Sequence, residues 1–362
     1  MQAVDHVAKF NQLLARNKSL RFLDVLLKGY GQVLICLNPV TGLLLFLAIF
    51  YVSRTIWLLT LVGIVSSNLM ACLLHAKTSH VRAGVYGFNG VVLGIAWLWF
   101  MRLDALSVVL LALGAALSSA LMKFSTDRNE GTTTNLPVLS VPSLIVVWGL
   151  LVVLQAFFAH SDFLGPDRCI QEYLRGYEVI ASSPSRPLAI HVFFRFFSKY
   201  ILTALVILAG VRVHSRLSSL LFAYFLGITV LAIFCLGGFA EFKSLEFYLY
   251  NAVPCGIALG GTFLVLNRQV FLAATAGVLL TIVLTFLGMR YFPLPAFIAP
   301  FNLVVIGFLW LVKSGMLRRE DGFCAVPAEL VSSAEFGLEW HKGELYAQDY
   351  WNKVEQSLEG LR

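Results

Sequence analysis

The sequence predicts an all-α integral membrane protein made of two inverted repeats of five helices, with re-entrant or broken helices and about ten transmembrane segments. Three observations predict this fold: an apolar composition, a series of long apolar runs, and motifs that recur in the second half of the chain. Hydrophobic residues make up 59% of the 362 residues and charged residues only 13%, with a mean hydropathy of +0.81. Soluble domains average about 25% charged residues, so the composition indicates a membrane protein.

Apolar runs of the length that crosses a bilayer, about 20 residues, occur along most of the chain. They lie at residues 33–53, 55–75, 104–123, 138–159, 198–213, 216–237, 248–266, 270–289 and 299–313, and a shorter run covers residues 86–101. Five runs precede and five follow a polar connector at residues 160–187. The sequence therefore predicts two membrane repeats, residues 32–159 and 188–313, called here the first half and the second half.

Each half contains two prolines five residues apart, Pro137 with Pro142 and Pro295 with Pro300. Proline lacks the backbone N–H and pushes the residue before it out of helical geometry, so we expect the helix to be broken at both places. Within a membrane, non-helical backbone is tolerated only where it is buried in protein or faces water. A single motif of this kind could simply mark the entrance of a helix, but its recurrence favours a solute pathway between the halves.

Other motifs recur at a distance of 162 residues. Asn251 follows Asn89 at this distance, and Gly256-Ile257-Ala258 repeats Gly94-Ile95-Ala96, while the proline motif recurs after 158 residues. Matches in the same order along most of each half favour duplication over coincidence. Each half is expected to cross the membrane five times. Because five is an odd number, the second half starts on the opposite side of the membrane and is inverted relative to the first. We expect the functional site between the halves, near the bilayer midplane.

The basic residues predict the orientation of the chain. Residues 1–31 carry five basic and two acidic side chains and are expected to form an amphipathic segment at the cytoplasmic face. Lys313, Arg318 and Arg319 follow the last crossing, so both termini are expected in the cytoplasm. The connector is then extracytoplasmic, and residues 314–362 form a soluble cytoplasmic tail. These flanking residues explain the net charge of +7, and no nucleic-acid partner is expected.

The apolar runs contain almost no ionisable side chains, which coupled transporters normally need within the membrane. The sequence therefore predicts passive flow of a small neutral solute. No nucleophile lies at a usable spacing from a base, and the six cysteines lack the spacing of a metal site. We expect neither an enzyme nor a cofactor.

Several side chains near the expected breaks are candidates to contact the solute. Gln32 precedes the first crossing and offers one carbonyl acceptor and two amide donors. Ser140 lies in the first proline motif, beside carbonyls that the prolines leave without a helical partner. For Asn89 and Asn251, a structural role as a cap or an interhelical hydrogen bond explains the residue as well as contact with the solute does. Phe88 could pack in a core, or could form an aromatic wall that strips water from a planar solute.

These motifs together resemble those of the urea transporter family, over residues 29–313. The motifs are Gly31-Gln32-Val33, Asn38-Pro39-Val40-Thr41-Gly42, Tyr86-Gly87-Phe88-Asn89-Gly90, the proline motifs at residues 136–142 and 294–301, and Tyr250-Asn251 with Gly256-Ile257-Ala258-Leu259-Gly260. The resemblance implies a homotrimer in a lipid bilayer, the inner (plasma) membrane of a bacterium, with a separate channel-like pore in each protomer. Urea is then expected to pass in single file between aromatic and aliphatic slots.

The resemblance also implies roles for individual residues. In that family a Gln or Glu at the start of each half and a Thr in each proline motif bind the NH2 groups of urea. Gln32 matches the first of these positions, and Ser140 stands where the first Thr would be. Phe88 and Val92 match one slot of the family. Tyr250 is the counterpart of Phe88 in the second half and adds a hydroxyl.

The second half departs from the family pattern. Ile298 occupies the second Thr position and offers no side-chain hydrogen bond. The second Gln or Glu position falls on Phe194 at the distance of 162 residues, or on His191 if three residues are inserted, and both assignments remain open. Pro254 is the counterpart of Val92 in the second half, at the same distance of 162 residues.

Three hypotheses of function follow from these residues. The first is passive, channel-like transport of urea. Because Ile298 and the lost second Gln or Glu weaken the match, the second is a facilitator of another small polar neutral solute, such as a short amide or ammonia. The third is a membrane domain that does not conduct, with a tail that binds a partner through the aromatic residues Trp340, Tyr346, Tyr350 and Trp351.

Overall fold

The computed structural model describes residues 20–129, 136–158, 164–168, 170–171, 187–237, 244–317 and 323, without the side chains of residues 158 and 187–200. Residues 1–19 of the N-terminal segment, most of the connector, and nearly all of the tail lie outside these residues. Within the described residues the chain is helical, apart from turns, short loops and an isolated antiparallel bridge between Met101 and Leu164.

The helices follow the chain in two series. The first series is α1 (Arg21–Gln32), α2 (Pro39–Val52), α3 (Arg54–Leu73), the short α4 (Thr78–Arg82), α5 (Gly87–Phe100), α6 (Ala105–Asn129) and α7 (Val141–Phe158). The second series is α8 (Pro187–His214), α9 (Arg216–Gly237), α10 (Leu245–Ile257) with a π-helical turn at Ala258–Thr262, α11 (Arg268–Tyr291) and α12 (Ala299–Lys313).

Polar side chains cap the starts of several helices, among them α2, α3 and α11. Asn38 Oδ1 accepts the Val40 N–H at 2.8 Å, just before the proline that opens α2. Ser53 Oγ accepts the Ile56 N–H at 3.3 Å, and Asn267 Oδ1 accepts the Val270 N–H at 2.8 Å. These caps satisfy donors that have no partner within the helix, so they fix where α2, α3 and α11 begin.

Some helix boundaries differ from the apolar runs. The run at residues 33–53 becomes helical only at Pro39, because residues 33–38 form a turn in which Ile35 has a φ of 59°. The run at residues 248–266 ends in the π-helical turn, which contains the pair Gly260-Gly261. α8 already begins at Pro187, before the run at residues 198–213. Hydropathy locates the helices, whereas prolines and caps decide where they begin.

The outer surface of the described helices is apolar. α3, α6, α9 and α11 are long and apolar enough to cross a membrane. Large apolar side chains on these and other helices are exposed, among them Leu113 at 62%, Leu231 at 63% and Leu303 at 64%. Such a surface would be unfavourable in water and is expected against lipid. The chain is an integral membrane protein.

α3 and α5 pack closely enough to require glycine. A Cβ atom on Gly63 would lie 2.1 Å from the Gly90 carbonyl oxygen, and one on Gly90 would lie 2.2 Å from the Gly63 carbonyl oxygen. Each glycine thus admits the backbone of the other helix. This contact holds α5, which carries Phe88 and Val92, against α3.

The helix is interrupted at both proline motifs, as predicted. Residues 136–140, before α7, and residues 292–298, before α12, are not helical and are called here the first and second breaks. Leu136 and Leu139 of the first break pack against the buried core of the second half, which includes Phe225, Val278 and Val305. In the other direction, Phe297 and Ile298 of the second break are buried in the core of the first half, which includes Val92, Trp97 and Leu111. Each break therefore belongs to the core of the other half.

Candidate functional site

Each break is hydrogen-bonded to the helix that follows the other break. Ser140 of the first break donates its backbone N–H to Asn302 Oδ1 at 3.3 Å, and Asn302 Nδ2 donates to Ser140 Oγ at 3.2 Å. Trp148 of α7 donates its indole N–H to the Pro295 carbonyl of the second break at 2.9 Å. These hydrogen bonds between the halves, formed by Ser140, Trp148, Pro295 and Asn302, are called here the junction.

The backbone at the two breaks has the same unusual conformation. Leu139 has a φ of 51° and Phe297 a φ of 43°, and the two residues are separated by the same distance in sequence as Pro137 and Pro295. Left-handed backbone costs a non-glycine residue roughly 1–3 kcal/mol, so it persists only where the surroundings hold it. Strain of this kind is often found at functional sites, which makes the breaks the candidate site.

Asn251 of α10 holds the second break in place. Its Nδ2 donates to the Phe297 carbonyl at 2.6 Å and to the Phe247 carbonyl at 2.8 Å. Its Oδ1 accepts the Phe301 N–H at 3.1 Å, a donor in the first turn of α12 that has no partner within its own helix. The side chain therefore acts as a cap supplied by a neighbouring helix, which is the interhelical alternative considered from the sequence.

Asn89 of α5 makes the corresponding contact in the first half. Ser143 Oγ, in the first turn of α7, donates to the Asn89 carbonyl at 3.3 Å and also contacts Asn89 Oδ1. Asn89 Nδ2 is buried and has no hydrogen-bond partner in the part of the chain that the structure describes. Both asparagines thus lie on the second helix before a break, α5 or α10, and connect it to the helix that follows the break.

Four of the apolar and aromatic site candidates share one core cluster, which includes Phe297 and Ile298 of the second break. Val92 and Ile298 are buried in the first-half core, and Phe88 and Tyr250 pack against it. The Tyr250 ring stacks on the Phe297 ring with centroids 6.5 Å apart and an interplanar angle of 20°. The structure therefore brings Phe88, Val92, Tyr250 and Ile298 into one cluster.

Gln32 lies at the C-terminal end of α1, beside the same cluster, against which the next residue, Val33, packs. Gln32 Nε2 donates to the Ala83 carbonyl at 3.0 Å. This bond uses one amide donor and directs the side chain, leaving the carbonyl oxygen Oε1 as the group that can accept a further hydrogen bond.

His191 and Phe194 both lie in α8. Their side chains fall outside the described part of the chain. The choice between them as the counterpart of Gln32 therefore remains a prediction.

The centre of the site is closed to solvent. Only 4% of Ser140, 3% of Val92 and 2% of Ile298 is exposed. A solute the size of urea can pass these side chains only if they move apart.

Sequence analysis missed Asn302, which binds Ser140. Asn302 lies in the first turn of α12, one helical turn after Ile298, and is 3% exposed. Its signal in the sequence is a polar side chain next to a proline motif inside an apolar run, which in a membrane segment commonly marks a functional or interhelical contact. Its partner cannot be read from the sequence, because the two residues are 162 positions apart.

Comparisons with known proteins identify the family of the chain. A family model described as urea transporter matches residues 23–313. The chain is similar to urea transporter 1 of Ovis aries, with 26% identity over 326 residues that cover 83% of this chain and 80% of the relative. It is also similar to urea transporter 1 of Mus musculus, with 27% identity over 72% of this chain and 69% of the relative. The matched region contains both breaks and the junction between them, and the chain belongs to the urea transporter family.

Proposed function

We propose that this chain carries urea across the membrane by passive, channel-like flow, along a path at the junction of two inverted repeats. The observation that carries the proposal is the contact of Ser140 from the first half with Asn302 from the second, where both breaks interrupt the helix. Membership of the urea transporter family over residues 23–313 supports urea as the solute.

The packing of the breaks supports the inverted repeat. Each break lies in the core of the other half. Asn251 binds the second break at the Phe297 carbonyl, and Asn89 binds Ser143 in the helix that follows the first break. Two copies related by a two-fold axis in the membrane plane would exchange their breaks in this way. In this proposal the repeats are residues 32–159 and 188–313, and both termini and the tail at residues 314–362 lie in the cytoplasm. A homotrimer in a bacterial inner membrane follows from the family resemblance.

The site residues suit a planar solute with polar edges. Phe88, Val92 and Tyr250 supply apolar walls for the two faces of urea, and Gln32 Oε1 and Ser140 Oγ accept hydrogen bonds from its NH2 groups. A hydrogen bond to water that is lost without replacement costs roughly 1–3 kcal/mol. Polar groups at intervals along an apolar path therefore lower the barrier to dehydration, while the walls keep larger solutes out.

The uncharged character of the site supports passive flow. Gln32, Ser140, Asn302 and the wall residues carry no charge, and coupling to protons or sodium normally needs an ionisable group within the membrane. Urea is then expected to move down its own gradient only. Accumulation of urea driven by a proton or sodium gradient in vesicles would contradict this.

Stopped-flow urea flux in liposomes that contain the purified protein tests the proposal. We expect urea to equilibrate faster than in protein-free liposomes of the same lipid and size. Equal rates in the two preparations would end the claim that the chain conducts urea.

A second solute class is favoured by one observation. Ile298 is buried in the first-half core and leaves the second Thr position without a hydroxyl, so a solute with fewer hydrogen bonds to replace loses less there. Formamide, acetamide and ammonium added in competition with urea separate the two hypotheses. Urea outcompeting all three would count against the second.

The hypothesis of a non-conducting domain with a partner-binding tail depends on residues outside the described chain. A chain that lacks residues 320–362 tests it. Full urea flux in this deletion would leave the hypothesis without support.

A further inference from the structure

We propose that Asn302 competes with the solute for Ser140, so that an amide solute must displace the Asn302 side chain in order to pass. The contact between Asn302 and Ser140 is called here the amide latch. This inference depends on the proposed function, because it requires Ser140 to be a point of contact for the solute.

The first argument is chemical. The Asn302 side chain is a carboxamide, with the same carbonyl acceptor and NH2 donors that urea and short amides carry. Its Nδ2 donates to Ser140 Oγ at 3.2 Å and to the Ile298 carbonyl at 2.9 Å, and its Oδ1 accepts from the Ser140 N–H at 3.3 Å. The groups at the two breaks that could bind an amide solute are thus already bound by an amide of the protein.

The second argument is burial. Asn302 and Ser140 are only 3% and 4% exposed, so with the latch closed neither presents an open binding surface. The solute gains access to Ser140 only if the latch opens. The latch therefore acts at a closed part of the proposed path.

The third argument is that the repeat contains the polar pair of the latch only once. The residue that corresponds to Asn302 by the spacing of the proline motifs is Leu144, whose side chain cannot hydrogen-bond. The residue that corresponds to Ser140 is Ile298. Because the second polar contact of a symmetric pair is absent, the Asn302 side chain alone closes the centre, and its removal is expected to open it.

The fourth argument concerns the strength of the latch. The bonds to Ser140 measure 3.2 and 3.3 Å, at the long end of the range for protein hydrogen bonds. An amide solute that replaces Asn302 exchanges one neutral amide bond for another, which has a small net effect. The latch is therefore a barrier that slows flow, and it does not block it.

Substitution of Asn302 by alanine tests this inference. We expect Asn302→Ala to raise urea flux in liposomes by about two- to tenfold, the factor that corresponds to the loss of one ordinary hydrogen bond. It should also raise the permeability of acetamide relative to urea, because the side chain that narrows the path is shorter. A variant that merely damages the fold would lower both rates without raising this ratio.

Thr41→Val is the matched control. Thr41 Oγ1 donates to the Gly210 carbonyl at 2.7 Å, a buried hydrogen bond between α2 and α8 that touches neither break. It also connects the two halves, so its loss reproduces the loss of an interhelical bond without opening the latch. We expect no increase in flux and no change in the ratio of acetamide to urea.

Osmotic water permeability of the same liposomes separates the latch from the proposed function. If the wild-type chain moves no urea but Asn302→Ala raises water permeability, the latch is supported and urea conduction is not. If the wild-type chain conducts urea and Asn302→Ala leaves urea flux, the acetamide ratio and water permeability unchanged or lower, the latch is refuted while the proposed function stands. If the wild type conducts nothing and Asn302→Ala changes nothing, both are refuted.

Discussion

Asn302 and Ser140 are hydrogen-bonded across the two halves of the chain, with Asn302 Nδ2 3.2 Å from Ser140 Oγ. Ser140 directly follows Leu139, the strained residue of the first break, and Asn302 lies in the first turn of the helix after the second break. The contact therefore connects the first break to the helix that follows the second break. Substitutions close to this pair are expected to affect the rate of transport more than the stability of the fold.

Replacing Ile298 with threonine should increase urea flux. Ile298 is 2% exposed and lies in the core beside Tyr250, where a hydroxyl would provide the hydrogen bond that the second break lacks. One additional hydrogen bond to urea at the barrier corresponds to about a two- to tenfold higher rate. Stopped-flow flux in liposomes measures this directly.

Ile298→Val is the control for this prediction, because valine has nearly the shape of threonine without the hydroxyl. Its flux is expected to stay close to that of the wild type. Equal increases in the two variants would show that space, and not a hydrogen bond, limits the flow at this position.

Gln32→Leu should lower urea flux several-fold, because the substitution removes the Oε1 acceptor at the first crossing. Gln32→Glu keeps an oxygen acceptor and should retain more flux than the leucine variant. The bond from Nε2 to the Ala83 carbonyl at 3.0 Å is lost in both variants, so a purely structural role would affect them equally. Unchanged flux in both variants would remove Gln32 from the path.

Asn251→Leu should destabilise the protein. It leaves the buried Phe297 carbonyl and Phe301 N–H without the partners they have at 2.6 and 3.1 Å, which costs about 2–4 kcal/mol in total. Thermal unfolding in detergent should show a clearly lower midpoint. Thr275→Val, which removes a hydrogen bond within a single turn of α11, is the control and should shift the midpoint little.

Gly63→Ala should prevent α3 and α5 from packing as they do. A methyl group there would lie 2.1 Å from the Gly90 carbonyl oxygen, whereas one on Gly149 would meet nothing within 4 Å. We expect poor yield or a much lower unfolding midpoint for Gly63→Ala and wild-type behaviour for Gly149→Ala. Similar stability of the two variants would mean that the close approach of these helices does not matter to the fold.

Much of the fold can be predicted from local features of the sequence. Apolar runs locate most of the helices, and Pro137 and Pro295 mark both breaks, because hydropathy and the missing N–H act over short distances. The hydrogen bond of Asn302 to Ser140 and the capping of Phe301 by Asn251 are not predictable in this way. They depend on how distant helices pack, and the sequence contains only the signal of polar residues within apolar runs.

For the site, too, local features can be predicted from the sequence and contacts between distant helices cannot. The sequence selects Phe88, Val92, Tyr250 and Ile298 as site candidates, and the structure places all four in or against one core cluster, but their contact with a solute stays a prediction. It does not indicate that Ser140 is bound to another side chain, since the partner belongs to the other half.

The claim that urea passes between the two breaks is tested most directly by a cysteine at Ile298, in a chain whose six native cysteines are replaced by alanine or serine. We predict that a small thiol reagent reaches Ile298→Cys, that labelling stops urea flux in liposomes, and that urea slows the labelling. A cysteine at Leu303, which is 64% exposed on the outer surface of α12, should be labelled without loss of flux. Undiminished urea flux after complete labelling of Ile298→Cys would contradict the account.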